Sequence, residues 1–259
     1  MSSLDGKVAI ITGASSGLGK ATAILFAEFG AKLVLTGRNG EALNKTKSEC
    51  LEKNKNISEP LCIQGDLTDE EHVKDIIKKT IDHFKCINVL VNNAGIVVKG
   101  TVENTTMEQF DKIMNINVRS VFHLTHLAVP YLIETKGSIV NVSSVNGMRA
   151  FAGVNAYCMT KSAIDQFTRC TALELASKQV RCNSVNPGVI KTEIHQRGGM
   201  DAAEYAKFLE HSKTTHALGR VGEPIEVAKT IAFLASDDSS FITGASIPID
   251  GGRHAMCPR

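Results

Sequence analysis

The residue types and the spacing of Tyr157 and Lys161 suggest that the two side chains share a chemical role. They lie in NAYCMTKSAIDQF (155–167), a stretch with the pattern of a buried helix. Four residues is slightly more than one helical turn, so both side chains leave the same face. A lysine ammonium stabilises a nearby phenolate, which would lower the tyrosine pKa from about 10 towards neutral pH. The pair therefore predicts a proton donor or acceptor, although in isolation this spacing is more often an ordinary polar patch.

A glycine-rich turn, TGASSGLG (12–19), follows the first apolar run and precedes a helical pattern. Gly13, Gly17 and Gly19 would let the backbone turn tightly and approach a pyrophosphate group. The amino terminus of the next helix would then present its N–H groups and positive dipole end to the phosphates. Such a turn is weak evidence by itself, but its place between a first strand and a first helix predicts dinucleotide binding.

The elements that must position these groups alternate along the chain. Short, continuously apolar runs occur at 8–12, 32–37, 60–65, 88–93, 137–144, 181–187 and 245–251. Helical patterns lie between them at 17–29, 40–54, 69–84, 107–135, 157–177 and 224–236. Continuous apolar strands are covered on both faces, and strand–helix alternation is typical of parallel sheets. The sequence predicts one α/β domain over residues 1–259, built on a Rossmann-like, doubly wound, seven-stranded parallel sheet with helices on both faces.

Two segments interrupt this regular alternation. Residues 189–223 form a long excursion between two strands, which is typical of a lid or binding segment. The pattern at 157–177 is apolar around most of its circumference, so this helix needs two surfaces to bury against. We expect one of these surfaces to be another subunit, with 107–135 at the same interface.

Composition excludes several other classes of protein. The formal net charge is +2, from 29 basic and 27 acidic residues, so neither a nucleic acid nor a membrane surface is the expected partner. No signal peptide and no apolar run of membrane-spanning length is present, which predicts a cytoplasmic protein. The seven cysteines contain no Cys-x-x-Cys, and His123 and His126 have no companion ligands nearby in the sequence. No metal site or disulfide framework is predicted.

Taken together, the motifs resemble those of the short-chain dehydrogenase/reductase family. The resemblance covers essentially the whole chain, with the motifs in the family's order and spacing. The matching stretches are TGASSGLG (12–19), NNAG (92–95), SIVNVSS (138–144), Tyr157 with Lys161, NPGVIKT (186–192) and FITGASIPIDGG (241–252). The resemblance implies an oxidoreductase that interconverts a small carbonyl compound and a secondary alcohol, assembled as a homotetramer.

The same resemblance implies four catalytic residues. Tyr157 would exchange a proton with the substrate oxygen, while Lys161 would lower the phenol pKa and hold the nicotinamide ribose. Ser144 would polarise the carbonyl through a hydrogen bond. Asn117, followed by valine as in the family pattern, would anchor a water in the proton relay; Asn115 fits this role less well.

A larger set is implied to bind the cofactor along the carboxyl ends of the strands. It comprises Gly13, Ser15, Ser16, Gly17, Leu18, Gly19, Arg38, Asn39, Asp66, Leu67, Asn93, Ala94, Gly95, Tyr157, Lys161, Pro187, Gly188, Ile190 and Thr192. NAD-binding relatives place an acid after the second strand, where this chain has Gly37 followed by Arg38. Arg38 could pair with a 2′-phosphate, so NADP(H) is predicted over NAD(H). Ser16 argues against this preference, because many NADP-binding relatives carry a second basic residue at that position.

Other functions fit the same fold. One is a 3-oxoacyl-carrier-protein-type ketoreductase, although the stretches where docking groups would be expected are poor in arginine. Another is an NAD-dependent alcohol or steroid dehydrogenase. The alternative from a different class is a non-catalytic cofactor-binding scaffold or sensor, which would not need to retain Ser144, Tyr157 and Lys161.

Overall fold

The structure is a computed structural model that describes residues 4–257 of the chain. Its strands are β1 (Val8–Thr12), β2 (Lys32–Gly37), β3 (Leu61–Gln64), β4 (Val89–Asn92), β5 (Ser138–Val142), β6 (Arg181–Pro187) and β7 (Ser246–Ile249). They form one seven-stranded parallel sheet in the order β3-β2-β1-β4-β5-β6-β7. The ends of the predicted domain, residues 1–3 and 258–259, lie outside the described residues.

Helices connect the strands. They are α1 (Gly17–Glu28), α2 (Gly40–Lys53), α3 (Glu70–Phe84), α4 (Met107–Met114), α5 (Ser120–Thr135), α6 (Val145–Met148), α7 (Asn155–Leu175), α8 (Ile194–Arg197), α9 (Ala202–Thr214) and α10 (Pro224–Ala235). Within residues 4–257, every helix is too short or too polar to cross a lipid bilayer.

Apolar side chains cover both faces of the sheet. The neighbouring residues Ile10 and Ile11 of β1 are fully buried in two different core clusters, because consecutive side chains of a strand point to opposite faces. Ile11 packs in the cluster formed with α1 and α10, and Ile10 in the cluster formed with α3 and α5. The prediction of a doubly wound parallel sheet is confirmed.

The chain reverses its strand order at β1, which has β2 on one side and β4 on the other. A crevice opens at the carboxyl ends of the strands at such a reversal, and α/β proteins bind their ligands there. Thr12 joins the two loops that border it. Its carbonyl accepts a hydrogen bond from Asn93 Nδ2 at 2.7 Å, and its hydroxyl accepts from the N–H groups of Asn93 and Ala94, both at 2.9 Å. The glycine-rich turn and the NNAG stretch are thereby held together.

The predicted helix 107–135 is interrupted. Residues Asn115–Arg119 form a π-helical segment between α4 and α5, in which the N–H of Ser120 bonds to the carbonyl of Asn115. A π-helical turn inserts one extra residue and is frequent at functional sites. It aims the buried side chain of Asn117 at the loop that follows β4.

Residues 189–223, called the lid segment below, contain α8 and α9. The Tyr205 hydroxyl of α9 donates a hydrogen bond to the carbonyl of Thr192 at 2.8 Å. A cleft of about 420 Å³ separates the lid segment from α1, and its lining includes Gly17, Lys20 and Glu193. The lid segment therefore lies beside the glycine-rich turn.

Candidate active site

Helix α7 carries Tyr157 and Lys161 into the crevice on one face. The Lys161 nitrogen lies 5.6 Å from the centre of the Tyr157 ring and donates a hydrogen bond to the carbonyl of Val142 at 2.8 Å. Lys161 is buried, although it carries an ammonium group. The end of β5 thus holds the lysine behind the tyrosine.

Ser144 follows β5 and caps the short helix α6. Its hydroxyl accepts a hydrogen bond from the N–H of Asn146 at 3.2 Å and donates one to Asn146 Oδ1 at 3.2 Å. Ser144 also lies close enough to the Tyr157 hydroxyl to act on its pKa. Because the side chain is buried, it has few competing water partners. Ser144, Tyr157 and Lys161 are therefore gathered at one point of the crevice.

Two polar residues that were not predicted hold this cluster from behind. Asn186 of β6 donates to the Ser144 carbonyl at 2.9 Å, and to Asp165 Oδ2 at 2.9 Å. Asp165 lies one helical turn beyond Lys161 and is buried. A carboxylate at i+4 on the apolar face of a helix was the signal that could have revealed this support.

The prediction that Lys161 lowers the pKa of Tyr157 is wrong for this structure. Burial raises the pKa of Tyr157 to about 12, and the hydrogen bond from Ser144 opposes that rise only in part. Burial also lowers the pKa of Lys161 to about 8, against the attraction of Asp165. The lysine nitrogen is bound to the Val142 carbonyl, and desolvation of the phenol is the largest cause of the Tyr157 shift. The phenol is consequently a neutral proton donor at neutral pH.

Asn117 connects this cluster to the loop after β4. Its Oδ1 accepts from the N–H of Ile96 at 2.9 Å, while its Nδ2 donates to the Ile96 carbonyl at 2.9 Å and to the Thr160 hydroxyl at 3.2 Å. Its amide thus positions Ile96, and its role as a water anchor stays a prediction. A Cβ on Gly95 would lie 3.3 Å from Asn117 Oδ1 and 3.7 Å from Lys161 Nζ. Gly95 is therefore at the centre of the crevice.

The glycine-rich turn has the shape that a dinucleotide requires. Gly13 and Gly17 have φ values of +65° and +53°, in the left-handed region that favours glycine. A Cβ on Gly19 would lie 2.3 Å from the carbonyl oxygen of Gly13, which leaves no room for a side chain. Helix α1 begins at Gly17, so its first N–H groups face the crevice where a pyrophosphate would be held. These residues fit a dinucleotide cofactor.

The side of the crevice predicted to hold adenosine lies at the ends of β2 and β3. Arg38 is largely exposed, and its Nη1 is 3.9 Å from Asp66 Oδ2. Burial acts to raise the pKa of Asp66, but hydrogen bonds from Thr68 and the charge of Arg38 lower it overall. Asn39 accepts a hydrogen bond from the N–H of Ala42 at 3.0 Å, so its side chain caps α2. Leu67 follows Asp66 and packs against the core.

Opposite this side, the loop after β6 carries Pro187, Gly188, Ile190 and Thr192 across to the glycine-rich turn. A Cβ on Gly17 would lie 3.4 Å from Thr192 Cβ, in van der Waals contact. His216, which the sequence did not indicate, fixes this loop. Its Nε2 accepts from the N–H of Val189 at 3.1 Å, and its Nδ1 donates to the Ser212 carbonyl at 2.6 Å, so both partners require the same neutral tautomer.

Comparison with known proteins identifies this arrangement. A family profile described as "Enoyl-(Acyl carrier protein) reductase" matches residues 13–254. The chain is 40% identical over 250 residues to 3-oxoacyl-[acyl-carrier-protein] reductase FabG of Thermotoga maritima, covering 96% of this chain and 98% of that one. It is 38% identical to meso-2,3-butanediol dehydrogenase of Serratia marcescens, covering 97% and 96%. The chain belongs to the short-chain dehydrogenase/reductase family.

Solved structures of this family share the fold. Levodione reductase superposes with a TM-score of 0.93 at 34% identity, covering 98% of this chain and 99% of that one. A short-chain dehydrogenase/reductase of unknown function from Caenorhabditis elegans, solved with cofactor, also gives 0.93, at 36% identity and 98% and 97% coverage. As a member of the short-chain dehydrogenase/reductase family, the protein is an oxidoreductase acting on CH–OH groups.

The lid segment of this short-chain dehydrogenase/reductase also contains His195, besides His216. The His195 ring centre lies 4.5 Å from that of Phe208 and 6.5 Å from that of Tyr205. Burial, followed by the charges of Lys99 and Arg253, lowers the pKa of His195 to about 4. His195 is therefore a neutral ring packed inside the lid segment at neutral pH.

Within residues 4–257, no group of His, Cys, Asp or Glu side chains has the arrangement of a metal site.

Proposed function

We propose that the protein is an NADP(H)-dependent oxidoreductase that interconverts a ketone and a secondary alcohol, with Tyr157 as the general acid and base. The observation that carries this proposal is the convergence of Ser144, Tyr157 and Lys161 in the crevice, where Lys161 Nζ lies 5.6 Å from the centre of the Tyr157 ring and Ser144 acts on the pKa of its hydroxyl. When bound, the nicotinamide cofactor supplies or accepts the hydride. The glycine-rich turn, Asp66, Asn93 to Gly95 and the loop at 187–192 would hold it.

Ser144, Tyr157 and Lys161 have different roles in the proposed proton transfer. The Ser144 hydroxyl donates a hydrogen bond to the substrate carbonyl oxygen and stabilises the negative charge that develops there. Tyr157 donates its proton to that oxygen, as its raised pKa of about 12 keeps the phenol protonated at neutral pH. The phenolate formed in this step is stabilised by the Lys161 ammonium group behind it.

The preference for NADP(H) is supported by the turn after β2. Gly37 ends the strand and leaves no acid to accept hydrogen bonds from a ribose, while the exposed Arg38 follows it. We expect kcat/KM with NADPH to exceed that with NADH by about tenfold or more in ketone reduction. Steady-state kinetics with both cofactors over a panel of linear and cyclic ketones measures this. Oxidation of neither cofactor with any substrate of the panel would contradict the proposal.

A second candidate substrate class is a 3-oxoacyl thioester on a carrier protein. The similarity to 3-oxoacyl-[acyl-carrier-protein] reductase of Thermotoga maritima favours it. Including a carrier-bound acetoacetyl thioester in the same panel separates the two classes. A free ketone is preferred if kcat/KM with the carrier thioester is the lower of the two.

We propose that the protein assembles as a homotetramer through α5 and α7. Their surfaces expose Phe122, Met159 and Leu173, whose side chains would otherwise face water. We expect light scattering at micromolar concentration to give four times the chain mass of 27.9 kDa. Phe122→Glu should reduce that mass, because it places a charge in an apolar contact. A monomeric parent protein would contradict the assembly.

Two further interpretations remain proposals of the same kind. We propose that the lid segment closes over the substrate of a single oxidoreductase domain. The cytoplasmic location stays a prediction from the sequence.

A further inference from the structure

Arg197, at the end of α8, reaches from the lid segment to the glycine-rich turn. Its Nη1 donates a hydrogen bond to the hydroxyl of Ser16 at 2.8 Å, across 181 residues of sequence. Its Nη2 pairs with Glu193 at 2.5 Å, one helical turn earlier. The side chain is more than half exposed, so the guanidinium group is open to a ligand.

Ser15 and Ser16 lie between this arginine and the end of β2. A Cβ on Gly37 would lie 3.2 Å from the Ser15 hydroxyl, so the turn and the strand end are in contact. Arg38 follows Gly37 directly. The residue after this strand end therefore carries one guanidinium group, 3.9 Å from Asp66, and Arg197 brings a second to the turn from the lid segment.

Arg197 has one charged partner, Glu193, and one neutral partner, the Ser16 hydroxyl. A serine hydroxyl is neutral, whereas a phosphate carries up to two negative charges and accepts two parallel bonds from the planar guanidinium group. The bond from Arg197 to Ser16 has one ionised group, whereas a bond to a phosphate would have two and could be bidentate. A phosphate placed beside Ser16 would therefore compete successfully for Arg197.

We propose that Arg197 is a cofactor-specificity residue, which binds the adenosine 2′-phosphate of NADP(H) together with Arg38 and releases Ser16 as it does so. This inference rests on the proposed preference for NADP(H). It explains how the chain compensates for a neutral serine at position 16, because the second cation comes from the lid segment. The 2′-phosphate then links cofactor identity to the position of the lid.

Binding of two adenosine nucleotides, which needs no turnover, tests this role. Adenosine 2′,5′-bisphosphate and 5′-AMP differ only in the 2′-phosphate, and isothermal titration calorimetry gives the Kd of each. We expect Arg197→Ala to weaken the bisphosphate by about tenfold or more and to leave 5′-AMP unchanged. Arg197→Lys, which keeps the charge but loses the planar fork, should give an intermediate loss. Lys207→Ala removes an exposed positive charge from α9 and should change neither Kd.

The outcomes separate this inference from the proposed function. Equal weakening of both nucleotides would place Arg197 on the 5′-phosphate side and overturn the assignment, as would no change in either. If Arg38→Ala loses selectivity for the bisphosphate while Arg197→Ala retains it, the NADP(H) preference stands and the role of Arg197 fails. If the parent protein binds both nucleotides equally, the NADP(H) preference itself fails.

Discussion

Tyr157→Phe should lower kcat for ketone reduction by about 10²- to 10⁴-fold, the range that a positioned proton donor contributes. The substitution removes only the phenol oxygen, which lies close to Ser144 and is the group proposed to transfer a proton to the substrate oxygen. The ring that packs near Lys161 remains, so the fold and the cofactor site should be retained. Single-turnover and steady-state measurements with NADPH give the size of the loss.

Two comparisons make this result specific. Tyr131→Phe on α5 is the matched control, because it removes the same oxygen from a partly buried residue that packs in the core cluster with Leu132. It should leave kcat unchanged. The Kd for NADPH should change by less than about twofold in Tyr157→Phe, since the lost group acts on the substrate. Turnover of Tyr157→Phe within tenfold of the parent would show that another group donates the proton.

Exchange of cofactor preference is the second large effect. Gly37→Asp combined with Arg38→Ile should shift the ratio of kcat/KM for NADPH over NADH by about a hundredfold or more towards NADH. The arginine contact with the 2′-phosphate is lost, and the new carboxylate both repels that phosphate and accepts bonds from the ribose of NADH. The site can accept the change, because the nearest atom to a Cβ at Gly37 is the rotatable Ser15 hydroxyl at 3.2 Å.

The two single substitutions separate the contributions of Gly37 and Arg38 to the cofactor preference. Arg38→Ile alone should lower kcat/KM with NADPH and leave that with NADH nearly unchanged, whereas Gly37→Asp should also raise the value with NADH. Lys45→Ile, on the exposed face of α2, removes a nearby charge without touching the turn and serves as the control. An unmodified protein that uses NADH as well as NADPH would show that the turn after β2 does not select the cofactor.

The local sequence pattern was sufficient to predict the strands of the sheet and the helices between them. The strand β1 is predicted at the bounds at which it occurs, because a continuous apolar run between turn residues has few other structures available. The π-helical segment at Asn115–Arg119 was not predictable, since one extra residue in a turn leaves the apolar pattern of the surrounding helix nearly intact. Such a slip depends on tertiary contacts, here those of Asn117 with Ile96.

The chemistry of the site was predictable by residue type but not by environment. The spacing of Tyr157 and Lys161 places both on one face of α7, yet it does not reveal that Lys161 is buried against Val142. Nor does it reveal the burial of the Tyr157 phenol, which raises the tyrosine pKa instead of lowering it. The direction in which the lid arginine points likewise depends on the fold, since Arg197 and Ser16 meet only after the sheet and the lid segment have formed.

The bonds between Thr12 and the loop after β4 have a consequence for how the chain acquires its function during synthesis. They join residues 81 and 82 positions apart, so the glycine-rich turn lacks these partners while the first part of the chain is being made. Closing so long a loop carries an entropic cost and slows the search for native contacts. The glycine-rich turn thus gains these hydrogen bonds only after residues 88–95 have been translated and β4 has docked on β1. A nascent chain that stalls before that point contains the complete TGASSGLG motif but lacks the hydrogen bonds that hold it to the loop after β4.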